Sequence, residues 1–226
     1  MSKRREIMVT CPECGKEAPF IIWDSINTTI HPEMKAAVRD GSAFCFKCPQ
    51  CGGKAYVDYE TLYHQMEDKI MVFYVDEDEA DNTCKLFTDN MEDQSPNNLK
   101  MQGYLMRVVT SPNDLLEKLA IFDAGLDDRI IEIAKLLVLA TVKHNFPDMK
   151  GNTALFNREG DMNEIVVTSD SGRQCSSELK DSIYKSLVQD YGERLCEIRG
   201  SYPIINRSWA EGFLELEKGW DEVATA

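Results

Sequence analysis

The spacing of apolar and polar positions divides the chain into a strand-rich first third and a helix-rich remainder. Ile7–Thr10, Ala18–Trp23 and Ala43–Lys47 read as short strands. Between the second and third, Asn27, Thr28 and Thr29 offer caps for a short helix that Pro32 opens and Asp40-Gly41 closes. Val57, Tyr59, Thr61 and Tyr63 then alternate with Tyr56, Asp58, Glu60 and Leu62, the period of a strand with one aromatic face. Gln65–Asp68 is polar enough to turn the chain, and Ile70–Val75 returns as an apolar strand.

Asp76-Glu77-Asp78-Glu79-Ala80-Asp81 breaks this pattern, and Ser95-Pro96 with its flanking Asn residues prolongs the break. The acidic run lacks the central Gly and closing Glu of a calcium loop, so residues 76–100 read as an acidic linker or long loop. Gly103–Thr110 is a strand candidate. Ser111 with Pro112 and Asp114 starts a helix carrying Leu115, Leu119 and Phe122 on one face, which Gly125 ends. Asp127 caps a second helix running to about His144, apolar on most sides across Ile130–Val142. Such a helix is expected to be the core of its unit, with a dimerisation helix, and hence a homodimer, as the alternative.

Further on, Ala154–Asn157 and Glu164–Thr168 flank Glu159-Gly160-Asp161 as a hairpin. Ser176 or Ser177 is expected to cap a helix that Gly192 stops, with Leu195–Arg199 as a strand and a last short helix around Trp209, Phe213 and Leu216 before a frayed tail. The expected fold class is α+β. Residues 1–75 form an N-terminal β-rich zinc ribbon with an inserted short helix and a hairpin extension. Residues 76–100 are the linker, and 101–226 form a mixed α+β C-terminal part around the apolar helix 128–144.

Charge narrows the function classes. The 226 residues carry a formal −14: residues 1–75 hold nine Lys/Arg against ten Asp/Glu, and the remainder sixteen against twenty-nine. A surface this acidic repels phosphate backbones, which disfavours nucleic acid as a partner. No apolar run reaches the length of a membrane span, and Met1-Ser2-Lys3-Arg4-Arg5 is followed by no apolar signal region. Eight Cys in such a chain suit a reducing compartment, where thiols serve metals. The expectation is a cytoplasmic protein with no membrane association.

The chemistry concentrates in two clips, Cys11-Pro12-Glu13-Cys14-Gly15 and Cys48-Pro49-Gln50-Cys51-Gly52. Two Cys-x-x-Cys pairs supply the four soft ligands of a tetrahedral zinc ion. Pro sets the turn and the Gly after the second Cys closes it in a left-handed conformation. Cys45 also precedes Cys48 by three, but that pairing would leave no Gly after its second ligand. The expected metal ligands are Cys11, Cys14, Cys48 and Cys51, holding one structural Zn²⁺ per chain, with Cys45 a strand residue beside them. A redox reading is weaker, because a redox Cys-x-x-Cys usually occurs once and opens a helix. A four-thiolate site is closed and activates no water. No phosphate loop, nucleophile elbow or His-Glu-x-x-His motif is present, and no catalytic residue is named. His31, His64 and His144 have ordinary structural explanations, the last at a helix C-terminus. Cys84, Cys175 and Cys196 read as buried or surface thiols.

The clips together with Arg107–Leu115, continuing through Leu116-Glu117-Lys118 to Gly125-Leu126-Asp127-Asp128-Arg129, resemble the CpXC proteins of bacteria and archaea. The likeness covers roughly residues 6 to 140 and includes His31-Pro32-Glu33 and Asp40-Gly41-Ser42. It implies zinc binding by the same four cysteines and no established activity. The departures are Cys45 and the polar stretch near 76–100. The expected function is therefore that of a structural zinc-binding, non-catalytic interaction or regulatory protein with a protein partner. One alternative is nucleic-acid contact through the ribbon, using Lys3, Arg4, Arg5, Lys16, Lys47 and Lys54 with Trp23, Phe44 and Phe46. The other is an enzyme with a site between the two units.

Overall fold

The structure is a computed structural model that describes residues 2–92, 103–197 and 203–224. Strands β1 (Lys3–Thr10) and β2 (Glu17–Asn27) form an antiparallel hairpin whose tip is the first clip. β2 outruns the expected Ala18–Trp23. The register slips by one residue opposite Lys3 and Arg4, making Asp24 a bulge, and Ser25–Asn27 then pair with a further strand. After helix α1 (Glu33–Arg39) and a 3₁₀ turn over Ser42–Phe44, strands β3 (Cys45–Lys47) and β4 (Lys54–Tyr56) form a second hairpin with the second clip at its tip.

The single strand expected from Tyr56 to Tyr63 is divided. β4 stops at Tyr56 and β5 (Thr61–Gln65) starts a new sheet position. Tyr59 explains the break: its hydroxyl donates to the Ala43 carbonyl at 2.9 Å and its ring lies 4.9 Å from that of Phe44, which pins the connection onto the second hairpin. β6 (Ile70–Tyr74) returns antiparallel to β5, and β7 (Leu105–Val109) adds to β6 in parallel. The resulting five-stranded sheet runs β1-β2-β5-β6-β7. Arg39 ties α1 to it, donating to the Tyr63 hydroxyl at 2.7 Å and to Gln65 Oε1 at 3.1 Å.

Where an acidic linker was expected, helix α2 (Glu77–Glu92) begins at once. Glu77, Asp78 and Glu79 occupy its first turn, where negative charge favours the helix dipole, and Ala80 is buried. Residues 93–100 of that expectation lie outside the described residues. The chain divides into two compact units, Met1–Leu116 and Glu117–Ala226. β7 therefore belongs with the first unit, although the sequence pattern grouped it with the C-terminal part from residue 101 onward. Among the described residues no helix is long and apolar enough to cross a membrane.

Helix α3 (Pro112–Asp123) begins as expected: the Asp114 N–H donates to Ser111 Oγ at 3.1 Å and that hydroxyl donates back to Asp114 at 2.7 Å. In the second unit, α4 (Asp128–Asn145) is capped by Asp127, whose Oδ1 accepts the Arg129 N–H at 2.9 Å. Ile130, Ile131 and Ile133 are fully buried, so α4 is the core helix of this unit. It packs against β8 (Thr153–Glu159), β9 (Met162–Thr168), α5 (Asp181–Glu197) and α6 (Arg207–Ala224).

Two sequence expectations fail here. Ser176 and Ser177 cap no helix but lie in β10 (Gln174–Glu178), the outer strand of the sheet β10-β9-β8. The turn Ser169–Arg173 makes it so: Gly172 takes positive φ and its N–H donates to the Ser169 carbonyl at 2.8 Å. Nor does Gly192 stop α5, which continues through Leu195 to Glu197. Leu195 is 2% exposed, and that burial outweighs the roughly 1 kcal/mol a mid-helix glycine costs. The last helix is longer than expected and reaches Ala224.

Candidate metal centre

The two clips fold alike because the same residue types recur at the same offsets. In the first, the Cys11 N–H donates to the Lys16 carbonyl at 2.9 Å and the Gly15 N–H to the Cys11 carbonyl at 2.9 Å. In the second, the Cys48 N–H donates to the Gly53 carbonyl at 2.8 Å and the Gly52 N–H to the Cys48 carbonyl at 2.9 Å. Gly15 at φ 68° and Gly52 at φ 77° take the left-handed conformation that ends each knuckle. Behind them, Phe46, Ala18, Cys11 and Cys48 form a small buried core, with Phe20 meeting Phe46 edge-on at 6.1 Å between ring centroids.

This core brings together Cys11, Cys14, Cys48 and Cys51, whose sulfurs all lie within 4.8 Å of one another, close enough to hold a metal ion. Cys11 and Cys51 are 3.6 Å apart and Cys14 and Cys48 3.7 Å. A tetrahedral four-thiolate zinc site with Zn–S of about 2.3 Å has edges of roughly 3.8 Å, so the donor set fits in number, chemistry and size. Cys11 and Cys48 are buried, while Cys14 and Cys51 face outward. The backbone N–H groups of Cys51 and Gln50 draw the Cys48 thiol down to about 7. The Gly53 N–H lowers Cys51, but hydrogen bonding to Cys11, burial and the Cys14 and Cys48 sulfurs push it up to about 12. Thiols crowded this closely resist ionising together, and a divalent cation is what makes four thiolates compatible.

Cys45 stands in β3 outside the cluster, its Sγ directed to the Phe46 carbonyl at 3.9 Å. The aromatic residues considered for nucleic-acid stacking are core: Phe44 and Phe46 are each 1% exposed and Trp23 7%. Lys3 and Arg5 are paired with Asp24 at 3.4 and 2.9 Å. The second unit holds a constellation that no sequence motif marks. Lys118 meets Asp128 at 3.1 Å and Glu132 at 3.2 Å, while Lys135 meets Glu117 at 2.9 Å and Glu132 at 3.1 Å, all five residues being buried. Burial and the neighbouring Glu132 raise the Glu117 carboxyl, against the pull of Lys135 and of the Phe156 N–H, which donates to it at 2.5 Å. The sequence signal was Glu132 and Lys135 within the mostly apolar stretch Ile130–Val142.

Two Cys-Pro-x-Cys knuckles on paired hairpins, converging on a four-cysteine cluster, define a ribbon protein with a closed candidate metal centre. The family model described as CpXC protein matches residues 9–135, more than half of the 226-residue chain. The chain belongs to the CpXC family. Its match runs beyond the ribbon through β7 and α3 into α4, and takes in all five members of the buried charge network. No curated protein and no solved structure matches the chain.

Proposed function

We propose that this protein binds one zinc ion per chain through Cys11, Cys14, Cys48 and Cys51, and that the ion is structural. The observation that carries the reading is the closed set of four convergent sulfurs, which leaves no ligand position for water or substrate. The protein then acts through its surfaces, as a cytoplasmic, non-catalytic interaction or regulatory protein whose partner is another protein. Metal analysis of protein purified without added metal tests the first part: one zinc per chain is expected. Iron is the other ion that favours four thiolates, and finding it instead would overturn the choice of zinc.

Cys45→Ser is expected to keep full metal stoichiometry and shift stability by less than about 1 kcal/mol, since the thiol is half-buried and outside the cluster. Loss of metal in that variant, measured by elemental analysis, would move the ligand assignment. The burial of Trp23, Phe44 and Phe46 supports a protein partner over nucleic acid. Titration with single- and double-stranded oligonucleotides at low and moderate salt is expected to show no saturable binding. Salt-sensitive binding abolished by charge reversal at Lys16, Lys47 and Lys54 would reverse that preference.

A further inference from the structure

The four clip cysteines are not equivalent, and their differences point to a way the centre is regulated, a step that rests on the zinc reading above. Cys11 and Cys48 are 1% and 2% exposed, whereas Cys14 and Cys51 lie on the surface. The two short sulfur–sulfur contacts follow that division. Cys51 lies 3.6 Å from Cys11 and Cys14 lies 3.7 Å from Cys48. Each contact joins one exposed and one buried cysteine, and each runs between the clips. Either is about 1.6 Å longer than a disulfide bond.

Which sulfurs pair decides what oxidation does to the fold. A disulfide inside one clip closes a single turn and leaves the β1–β2 and β3–β4 hairpins with neither a metal nor a covalent link between them. Cys11–Cys51 and Cys14–Cys48 bonds would instead join positions 40 and 34 residues apart and tie the two hairpin tips directly. Links across loops of that length restrict the unfolded chain, which is how a disulfide favours the folded one. The buried contacts of Phe46 and Ala18 with Cys11 and Cys48 already hold the tips in register for such bonds.

We propose that the four-cysteine centre is a redox-exchangeable staple, in which hydrogen peroxide releases the zinc and leaves two cross-clip disulfides, Cys11–Cys51 and Cys14–Cys48, that keep the ribbon folded. In each pair the exposed thiolate, Cys51 or Cys14, attacks one peroxide oxygen. The O–O bond breaks and hydroxide leaves, giving a sulfenic acid. The buried partner's thiolate then attacks that sulfur, and a second hydroxide leaves as the S–S bond forms. Four thiolates and two peroxide molecules give two disulfides and four hydroxide ions, and no thiolate is left to hold the metal.

Treating the zinc-loaded full chain with hydrogen peroxide tests this, with zinc release followed by a chromogenic chelator and pairing by mass spectrometry. Trypsin places the first clip in peptide 6–16 and the second in peptide 48–54, so cross-clip bonds join the two peptides and bonds inside a clip leave them apart. Release of one zinc per two disulfides is expected, with the peptides joined and fragmentation placing the bonds at Cys11–Cys51 and Cys14–Cys48. The amide resonances of β1 to β4 are expected to stay dispersed, and dithiothreitol with added zinc to restore the starting spectrum. Separate peptides with internal disulfides, or Cys11–Cys48 and Cys14–Cys51 bonds, would overturn the pairing. Collapse of the β1 to β4 resonances on zinc release would overturn the staple, as would zinc retained on unmodified cysteines at millimolar peroxide. A chain isolated without zinc would sink the zinc reading separately, because the same peptide map on the metal-free chain still reports the pairing.

Discussion

Cys48→Ser is expected to empty the metal centre and to cost the first unit its native fold. Structural zinc contributes apparent binding free energies of about 10–16 kcal/mol in small zinc domains, as large as the whole stability of a typical domain. Cys48 is 2% exposed and sits in the small core with Cys11 and Phe46, so little else in the ribbon can compensate. Elemental analysis should find the metal lost, and amide spectra should show resonances of β1 to β4 collapsing toward unfolded positions. Full zinc stoichiometry in this variant would overturn the ligand set.

The second large effect lies in the other unit. Lys135→Met removes the cation that both Glu117 and Glu132 face, leaving buried Glu117 without its ion-pair partner and Glu132 with Lys118 alone. Breaking such a group from one side costs about 3–5 kcal/mol, far more than the same change on a surface. Denaturant unfolding should read the loss directly. The pH dependence carries a definite sign. Glu117 already has a raised folded-state pKa, through burial first, so the folded state holds its proton at pH values where the unfolded chain has released it. Without Lys135 that pKa rises further. The deficit of the variant should therefore shrink as pH falls from the variant's folded-state value of Glu117 to the lower folded-state value that Lys135 maintains in the parent protein. A loss below about 1 kcal/mol, independent of pH, would mean that Lys135 is solvated in solution.

The convergence of Cys11, Cys14, Cys48 and Cys51 was legible in the sequence because a knuckle is a local device. Pro and Gly at fixed offsets dictate the turn, and nothing distant is needed to recognise Cys11-Pro12-Glu13-Cys14-Gly15. The caps at Ser111 and Asp127 and the core role of α4 were legible for the same reason. The features that escaped were set by distant partners. β7 joins β6 in parallel across some thirty intervening residues, and no period in either strand announces that pairing. β10 is five residues of mostly exposed polar side chains, so Ser176 and Ser177 looked like caps until β9 supplied the pairing. Gly192 carried a stop signal that the burial of Leu195 overrode.

The place of β7 also decides where this chain can be cut. A fragment ending at residue 75 would retain the four clip cysteines and every residue of both knuckles, yet it would lack the strand that covers β6. The bared edge would be Ile70-Met71-Val72-Phe73-Tyr74, an uncharged apolar run whose backbone groups on the side away from β5 are unpaired. Such an edge recruits further copies of itself. Trimming the protein to its cysteine clips would thus convert a stable ribbon into a seed for aggregation, whereas a fragment carried through Leu116 keeps that edge capped.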